Sequence, residues 1–280
     1  MAVPSRGRRG AVPRFAQAFA VLLGFAALLS ARAEEPAPPA GDAAAEEVPP
    51  PCPDAEARGL AQKLCAAAKR RDPKEALAVL EEIDEKRHAE IAKALLKVLD
   101  HADPAVAMAA ADAMAAQRSG DAKADAKLAA QVWKGGWQAK ANDKRFPVLG
   151  RVLLAVAALE RRPLEERRAK EVEKAWRWVV GNPEPDNAPG LVAVCEYVSL
   201  VKDKRFCRLL AEEIDEPVAT DPNSPSNPPA SWWEARWKLW KQVKAAAVET
   251  LEDLTDQTFK TTKDAKAWFE ANAKQFGFTW

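Results

Sequence analysis

The stretch KALLKVLDHADPAVAMAAADAMAAQ, residues 93–117, decides the fold because it carries two consecutive helical patterns. From Ile91 onward, apolar side chains recur at the i, i+3, i+4, i+7 spacing that places them on one face of an α-helix. The second half opens with Asp103 as a predicted N-cap and Pro104 in the first helical position. Small residues then occupy nearly every face, which favours a helix packed on several sides. The stretch therefore predicts two helices joined by a short turn.

The same periodicity continues along most of the chain, and no alternating β pattern of useful length interrupts it. The sequence therefore predicts an all-α protein with about eleven helices. The predicted helices span residues 54–70, 73–83, 86–101, 104–117, 121–134, 145–160, 164–180, 188–201, 204–215, 231–254 and 262–275.

The chain also contains an internal repeat. EEIDE occurs at residues 81–85 and again at 212–216, with Asp72 and Asp203 at the same distance before the two copies. A third start, NDKRF at residues 142–146, nearly matches the KDKRF that contains Asp203. We expect each repeated start to open the second helix of a pair and EEIDE to end it, with the isoleucine inward and the acids outward. The acids would then form either an acidic ridge or a solvated loop edge.

Residues 93–117 resemble a HEAT-type (armadillo-like) helical repeat, with an amphipathic helix, a short Asp-Pro turn and an alanine-rich second helix. Ala107 stands where these repeats usually carry an arginine. More degenerate units occur around residues 143–159 and 191–214. The resemblance covers residues 54–280 and implies an α-solenoid of antiparallel helix pairs. It implies little about chemistry.

The stretch LTDQTFKTTKDAKAWFEANAK, residues 254–274, resembles the closing segment of bacterial exported HEAT-repeat proteins. Asp256 replaces the glycine that usually follows Leu-Thr in that segment. We expect Thr261 or Thr262 to cap a short last helix and Trp268 to be a structural residue. Such an element covers the apolar end of a solenoid.

The N-terminal residues predict export. Residues 1–33 combine an arginine-rich start, an apolar run at 18–31 and a small-x-small site that ends at Ala33, which together indicate a signal peptide. An uncleaved anchor is the alternative. Residues 34–53 are rich in proline, alanine and acid, and predict a disordered tether before a folded domain at 54–280. The expected destination is the periplasm or cell envelope, or the extracellular medium.

Charge restricts the partners that the mature chain can bind. Without the leader, acidic side chains slightly outnumber basic ones, and both signs are mixed along the helices. This balance argues against nucleic acid, which needs a clustered basic surface, and against anionic lipid. No membrane span is expected in the mature chain.

Four cysteines permit disulfides in an exported protein. Neighbours in the sequence are the predicted pairs, Cys52 with Cys65 and Cys195 with Cys207. In the alternative interpretation, Cys65, Cys195 and Cys207 are small buried apolar residues.

Four of the ten tryptophans lie in SWWEARWKLW, residues 231–240. Ser231 and Glu234 have the spacing of a capping box and predict where this helix begins. One helical face carries an apolar stripe, while Trp232 makes the aromatic surface wider than one neighbouring helix would cover. The predicted stripe comprises Trp233, Trp237, Trp240, Ala247, Leu251 and Leu254.

No catalytic motif is present in the sequence. His88 and His101 lack metal-ligand spacing, and nucleophile elbows, phosphate loops and calcium loops are absent. We therefore predict no catalytic residue, no metal and no cofactor, and rank an enzyme that uses an Asp or Glu pair third.

The expected function is a non-catalytic exported scaffold that binds a protein partner. The alternative is a glycan- or cell-wall-binding module that uses the tryptophan-rich helix. Two proline-rich loops, at 181–190 and 217–230, add to the expected working surface. The candidate partner-binding residues are Trp232, Trp233 and Trp237.

Overall fold

The computed structural model describes residues 51–138, 145–219 and 224–276, and within these ranges the chain is helical and contains no β-strand. The predicted all-α class is confirmed. The helices are α1 (Asp54–Arg70), α2 (Pro73–Ile83), α3 (Ala89–Val98), α4 (Pro104–Ala115), α5 (Ala122–Val132), α6 (Phe146–Glu160), α7 (Glu166–Gly181), α8 (Ala188–Val201), α9 (Cys207–Ala211), α10 (Ala230–Thr255), α11 (Thr262–Ala271) and α12 (Ala273–Phe276).

Short irregular helical turns account for the largest differences from the predicted boundaries. A π-helical turn at Trp133–Gln138 extends α5, and 3₁₀ turns at Pro185–Asn187 and Lys204–Phe206 precede α8 and α9. The predicted helix 204–215 is therefore only one turn of 3₁₀ helix followed by the short α9. After α9 the chain tightens, because Glu213 N donates to the Leu210 carbonyl at 3.1 Å instead of continuing the α-helix.

Side-chain caps explain where several helices begin. Asp103 accepts a hydrogen bond from Ala105 N at 2.9 Å ahead of Pro104, as predicted. Thr261 Oγ1 accepts from Asp264 N at 3.1 Å, which confirms the predicted cap of α11. Aspartates also cap α2 and α5. These local bonds satisfy amide groups that the first helical turn leaves without partners.

The capping box predicted at Ser231 and Glu234 is wrong. Helix α10 begins at Ala230 with Pro229 as its N-cap, and no side chain caps it. Ser231 therefore lies inside the first turn rather than before it. Pro229 can precede the helix because its extended backbone leads directly into the first turn.

The even-numbered helices pack in a continuous succession. Helix α2 contacts α4, α4 contacts α6, α6 contacts α8, and α8 contacts α10. Among the odd-numbered helices, α1 contacts α3 and α9 contacts α11. Links between the two sets include α1 with α2, α3 with α4, α5 with α6 and α9 with α10. One apolar core of leucine, valine, alanine and aromatic side chains runs between the helices from α1 to α11.

The crossing of α6 and α8 depends on two glycines. A methyl group at Gly190 of α8 would approach the Phe146 carbonyl oxygen of α6 to 2.6 Å, and one at Gly150 would approach the Ala193 Cβ to 2.8 Å. Both distances are shorter than van der Waals contact allows. The absent side chains therefore let the backbones of α6 and α8 approach closely.

A buried polar network fixes the start of α9. The Tyr197 hydroxyl donates to Asp203 Oδ2 at 2.8 Å and accepts from Leu164 N at 2.9 Å. Arg205 Nε donates to Asp203 Oδ1 at 2.8 Å. Asp203 is the cap of its 3₁₀ turn, as Asp72 is of α2, so the aspartate shared by the two repeat starts has the same local role in both.

All four cysteines are free thiols in the structure, and neither predicted pair, Cys52 with Cys65 or Cys195 with Cys207, is bonded in it. Cys195 and Cys207 are enclosed in the core, and Cys52 is also buried, while Cys65 is half-buried on α1. Cys195 and Cys207 fill the core as small apolar residues. Burial raises the pKa of both thiols, that of Cys207 to about 12, so both remain protonated at neutral pH.

The predicted signal peptide, residues 1–33, lies outside the described residues, as does most of the predicted tether. The described part of the tether, residues 51–53, contacts the folded helices. Cys52 N donates to the Arg87 carbonyl at 2.9 Å, and Pro51 forms an isolated bridge with the same residue. Packing against the helices therefore begins before Asp54.

Candidate partner-binding surface at the tryptophan-rich helix

Helix α10 packs on α8 and α9 through a face that agrees only partly with the predicted stripe. Trp240, Ala247, Leu251 and Leu254 are buried, as predicted. Trp237 is not buried, because 38% of its surface remains exposed. The inward position near the start of the helix belongs to Arg236, which is 7% exposed.

Arg236 is buried because the second EEIDE supplies its counter-charge. Arg236 Nη2 donates to both carboxylate oxygens of Glu213, at 2.9 and 2.8 Å. Trp240 Nε1 donates to the Glu213 carbonyl at 2.9 Å. The long helix α10 is thus joined to the end of α9 by one buried ion pair and one buried indole.

The other acidic residues of the second EEIDE copy also bond to neighbouring helices. Glu216 accepts from Trp237 Nε1 at 2.9 Å, and Asp215 accepts from the backbone amide of Thr262 at 3.1 Å, at the start of α11. Glu212 pairs with Arg208 at 3.1 Å and with Arg177 at 3.3 Å. The second acidic run therefore joins α7, α9, α10 and α11.

The first copy of EEIDE makes a different set of contacts. Glu82, which aligns with Glu213, lies at the surface and pairs with Lys63 at 3.2 Å. The isoleucines of both copies, Ile83 and Ile214, are buried as predicted. The prediction that all the acids point outward is wrong, because Glu213 is 2% exposed.

Trp232 and Trp233 lie where the start of α10 meets the end of α7. Their rings contact edge to face with centroids 4.8 Å apart, and both are half-buried. Trp232 Nε1 donates to the Gly181 carbonyl at 2.9 Å. This bond satisfies the polar atom of the indole and fixes the ring in position.

Trp178, one turn before Gly181 on α7, also projects outward and is 37% exposed. We call Trp178, Trp232, Trp233 and Trp237 the tryptophan surface. Three of these residues were candidates from the sequence, whereas Trp178 was missed. The spacing of Val172, Trp176 and Val179, all buried, defines the inward face of α7 and could have identified Trp178 as outward.

Cations and ion pairs border the tryptophan surface. Lys241 Nζ lies 4.3 Å from the centroid of the Trp237 ring, a cation–π distance. The Arg177–Glu212 pair lies on the α7 side. The surface therefore has apolar ring faces at its centre and balanced charge at its border, as protein-binding surfaces commonly do.

Trp268 packs against the core at the terminal element, in keeping with the structural role predicted for it. Trp268 is half-buried, with its ring 5.8 Å from that of Phe259 and 5.2 Å from that of Phe269. Phe269, at 1% exposure, is the ring that is fully enclosed. Trp268 therefore covers the aromatic cluster from outside.

His88 and His101 both accept hydrogen bonds from backbone amides two residues further along the chain. His88 Nδ1 accepts from Glu90 N at 3.1 Å as the N-cap of α3, and His101 Nδ1 accepts from Asp103 N at 3.1 Å. Within the described ranges, no group of three or more His, Cys, Asp or Glu side chains has the geometry of a metal site.

A scan against protein-family models finds no match, and searches of curated proteins and of solved structures find none either. Among the described residues, no helix is both long enough and apolar enough to cross a membrane. Arguments about function therefore depend on the contacts of the chain itself.

Proposed function

We propose that this chain is an exported HEAT-like α-solenoid that binds a protein partner and has no catalytic activity of its own. The observation that carries the proposal is the unbroken succession of contacts through α2, α4, α6, α8 and α10. In helical-repeat proteins, equivalent helices of successive repeats pack side by side, and this stacking builds an extended binding surface. The leader-like residues 1–33 support export.

The repeat unit of residues 93–117 supports the HEAT interpretation. Its two predicted helices correspond to α3 and α4, which contact each other and are joined by the capped Asp103-Pro104 turn. The KDKRF start departs from the expected pattern. It precedes α9, an odd-numbered helix that packs on α10 and α11, whereas the Asp72 start opens the even-numbered α2.

The tryptophan surface is the proposed contact with the partner. Its rings are held by bonds from Trp232 to Gly181 and from Trp237 to Glu216, so little conformational freedom is lost when a partner covers them. Tryptophan is enriched among the residues that contribute most to binding.

A glycan is the second candidate ligand, because the Trp178 and Trp237 rings are both partly exposed. Stacking on a sugar would use the face of an indole, and Lys241 already occupies a position over the Trp237 ring. This contact makes a protein partner the better fit at Trp237.

The test compares Trp178→Ala and Trp237→Ala with Leu200→Ala, which removes an exposed apolar residue outside the tryptophan surface. A partner is first captured from a cell-envelope extract, and its affinity for each purified variant is then measured by calorimetry. We expect the tryptophan variants to bind about thirtyfold more weakly, whereas Leu200→Ala binds normally.

Two results would contradict the proposal. Retention of the wild-type protein on insoluble wall polysaccharide, lost in the tryptophan variants, would indicate the glycan module. Equal affinities for all three variants would show that the partner binds elsewhere. Melting curves of each variant establish that the fold is intact.

A further inference from the structure

A cavity opens beside the loop between α6 and α7. Its volume is about 400 Å³, within the roughly 300–1,000 Å³ that is typical of sites for small molecules. Its walls come from α5, the end of α6, the loop and the start of α7. The lining residues are Ala126, Glu160, Arg162, Pro163, Glu165 and Arg168. Two arginines and two glutamates therefore decide what this cavity can bind.

Glu160 orients both arginines of the cavity. Its side chain is only 6% exposed, and both of its carboxylate oxygens accept hydrogen bonds. Arg168 Nη1 donates to Oε1 at 3.2 Å, and Arg162 Nε donates to Oε2 at 3.4 Å. Arg161 ends α6 in the left-handed conformation, with φ of 50°, and the chain turns there between Glu160 and Arg162. One buried carboxylate thus holds two guanidinium groups at the same wall.

Arg168 is fixed further by an aromatic ring. Its guanidinium carbon lies 5.4 Å from the centroid of the Trp133 ring, a cation–π distance. Trp133 in turn stacks on Trp137, with centroids 4.7 Å apart. Glu165 Oε1 lies 3.3 Å from Arg168 Nε. Because Arg168 is held on several sides, it loses little conformational freedom when it binds a ligand.

The cavity has more hydrogen-bond donors than acceptors, although its formal charges cancel. Among the described residues, no oxygen accepts from Nη1 or Nη2 of Arg162 or from Nη2 of Arg168, whose only hydrogen bonds to side chains are those to Glu160. Guanidinium N–H groups pair in a planar fork with the oxygens of carboxylates and phosphates. An oxyanion therefore complements the donors that the protein leaves available.

The start of α7 adds positive potential at the same wall. The helix begins at Glu166 with Glu165 as its N-cap, and no side chain caps its first turn. The amides of that turn form the positive end of the helix dipole, which favours a nearby anion. Glu165 opposes this effect only in part, because its side chain is 63% exposed and pairs with Arg168.

We propose that this cavity binds the carboxylate or phosphate group of a small organic molecule. Arg162 and Arg168 donate hydrogen bonds to the oxygens of the ligand. Ala126 and Pro163 contact its uncharged part, since the volume exceeds what a bare inorganic ion fills. The cavity lies at the opposite end of α7 from Trp178, so this binding does not depend on the tryptophan surface.

Isothermal titration calorimetry at constant ionic strength tests the class of ligand. The probes are glycerol phosphate and butyrate, with glycerol and butyramide as their uncharged counterparts. We expect at least one of the two anions to bind and the uncharged molecules not to bind. The anion that binds more tightly distinguishes a phosphate ligand from a carboxylate ligand. Binding of the uncharged counterparts as tight as that of the anions would overturn the proposal.

Inorganic phosphate is a further probe, because it carries the anionic group without an organic part. We expect it to bind more weakly than the preferred organic anion. Binding as tight as that of the organic anion would show a site for an ion only and would overturn the assignment of an organic ligand.

Two arginine variants with the same loss of charge test the site. Arg162→Gln removes a lining residue that is 67% exposed, whereas Arg167→Gln removes a residue of α7 that is 79% exposed and does not line the cavity. We expect Arg162→Gln to bind the preferred anion at least about tenfold more weakly, because a charge-assisted hydrogen bond is lost. Arg167→Gln should bind within about twofold of the wild type. Both variants should melt as the wild type does.

Arg168→Lys tests the planar fork separately from the charge. The lysine keeps the positive charge but cannot bond an oxyanion with two parallel N–H groups, so we expect binding about tenfold weaker. Equal weakening in Arg162→Gln and Arg167→Gln would show attraction to net charge alone and would overturn the proposal. Absence of binding of either organic anion to the wild type would overturn it as well. If Arg168→Lys melts early, the comparison of Arg162→Gln with Arg167→Gln decides.

Discussion

Glu213 and Arg236 show how one residue can have opposite roles in two copies of the same motif. Glu213 is enclosed and bonded twice to Arg236, whereas the aligned Glu82 is a surface residue paired with Lys63. An ion pair in the core stabilises the fold only while both partners are present.

We therefore expect Glu213→Gln to lower the free energy of unfolding by about 3–5 kcal/mol, because it leaves the Arg236 charge buried without its partner. The matched control is Glu82→Gln, which removes an exposed pair and should cost at most about 1 kcal/mol. Urea unfolding followed by circular dichroism measures both. Equal losses in the two variants would show that Glu213 makes no special contribution.

Tyr197, the single tyrosine of the chain, should report on alkaline unfolding. Burial raises the pKa of its hydroxyl above the ordinary value of about 10. The unfolded chain then releases this proton first, so the stabilising contribution is complete below about pH 10 and is lost as the pH rises further. We expect tyrosinate absorbance to appear together with the loss of helix. Ionisation in a chain with its full helical signal would contradict the assignment.

Residues whose roles are local were predictable from the sequence. Asp103 and Thr261 bond to amides two or three residues away, so the pattern around each contains all the information needed. The burial of Arg236 was not predictable, because an arginine is normally exposed and its partner Glu213 lies in the turn after a separate helix, α9. Trp237 was wrongly predicted to face inward, because helical spacing alone cannot show whether Trp237 or the adjacent Arg236 fills the buried position.

Among the helices, the crossing of α6 and α8 depends most directly on residue size. Gly190 lies against the backbone of Phe146, which cannot move aside as a flexible side chain could.

Gly190→Ala should therefore destabilise the protein by about 1–3 kcal/mol, because the added methyl group separates the two helices. Gly59→Ala on α1 is the matched control, since no heavy atom lies within 4 Å of the methyl group that it would add. There the higher helix propensity of alanine should stabilise by about 0.5–1 kcal/mol. Thermal melts of both variants give the comparison, and a neutral result at Gly190 would mean that the crossing is looser than the structure shows.

The bounds of α1, α2 and α8 were predicted correctly, although only α2 among them has a side-chain cap, Asp72. Helix bounds were not predictable where distant partners determine the end of a helix. Helix α9 stops at Ala211, and Glu213 then turns inward to meet α10. The acidic residues that follow would extend a helix by propensity alone, so the tertiary contact outweighs the local preference.

At the scale of the whole molecule, the state of the cysteines shows whether packing or disulfide cross-links stabilise the core. All four thiols are free, and Cys195 and Cys207 are enclosed.

We expect alkylation of the native protein at neutral pH to modify Cys65 first, because it is the half-buried thiol, and to modify Cys195 and Cys207 only after denaturation. Their raised pKa values reinforce this protection, since the thiolate is the reactive form. Mass spectrometry before and after denaturation counts the modified thiols. Fewer than four thiols in denatured, unreduced protein would indicate a disulfide and overturn this description.

The all-helical class was predictable because a 3.6-residue period recurs from α1 to α11. The order of packing was only partly predictable. Short loops imply that consecutive helices are neighbours, but the contacts between α4 and α6 or between α6 and α8 depend on side-chain size at places such as Gly150. The tryptophan surface was predicted only in part. Trp178 was missed because it joins the other tryptophans only where α7 approaches α10, a contact that the sequence does not reveal.

The packing of each even-numbered helix on the next has a consequence for how the chain acquires its structure. Contacts between near neighbours in sequence close small loops, and chains dominated by such contacts fold quickly. A chain synthesised from its N-terminus can bury α1 to α4 against one another before α10 exists. Six of the ten tryptophans follow residue 230, so indole fluorescence would report the last stage of this process rather than the first.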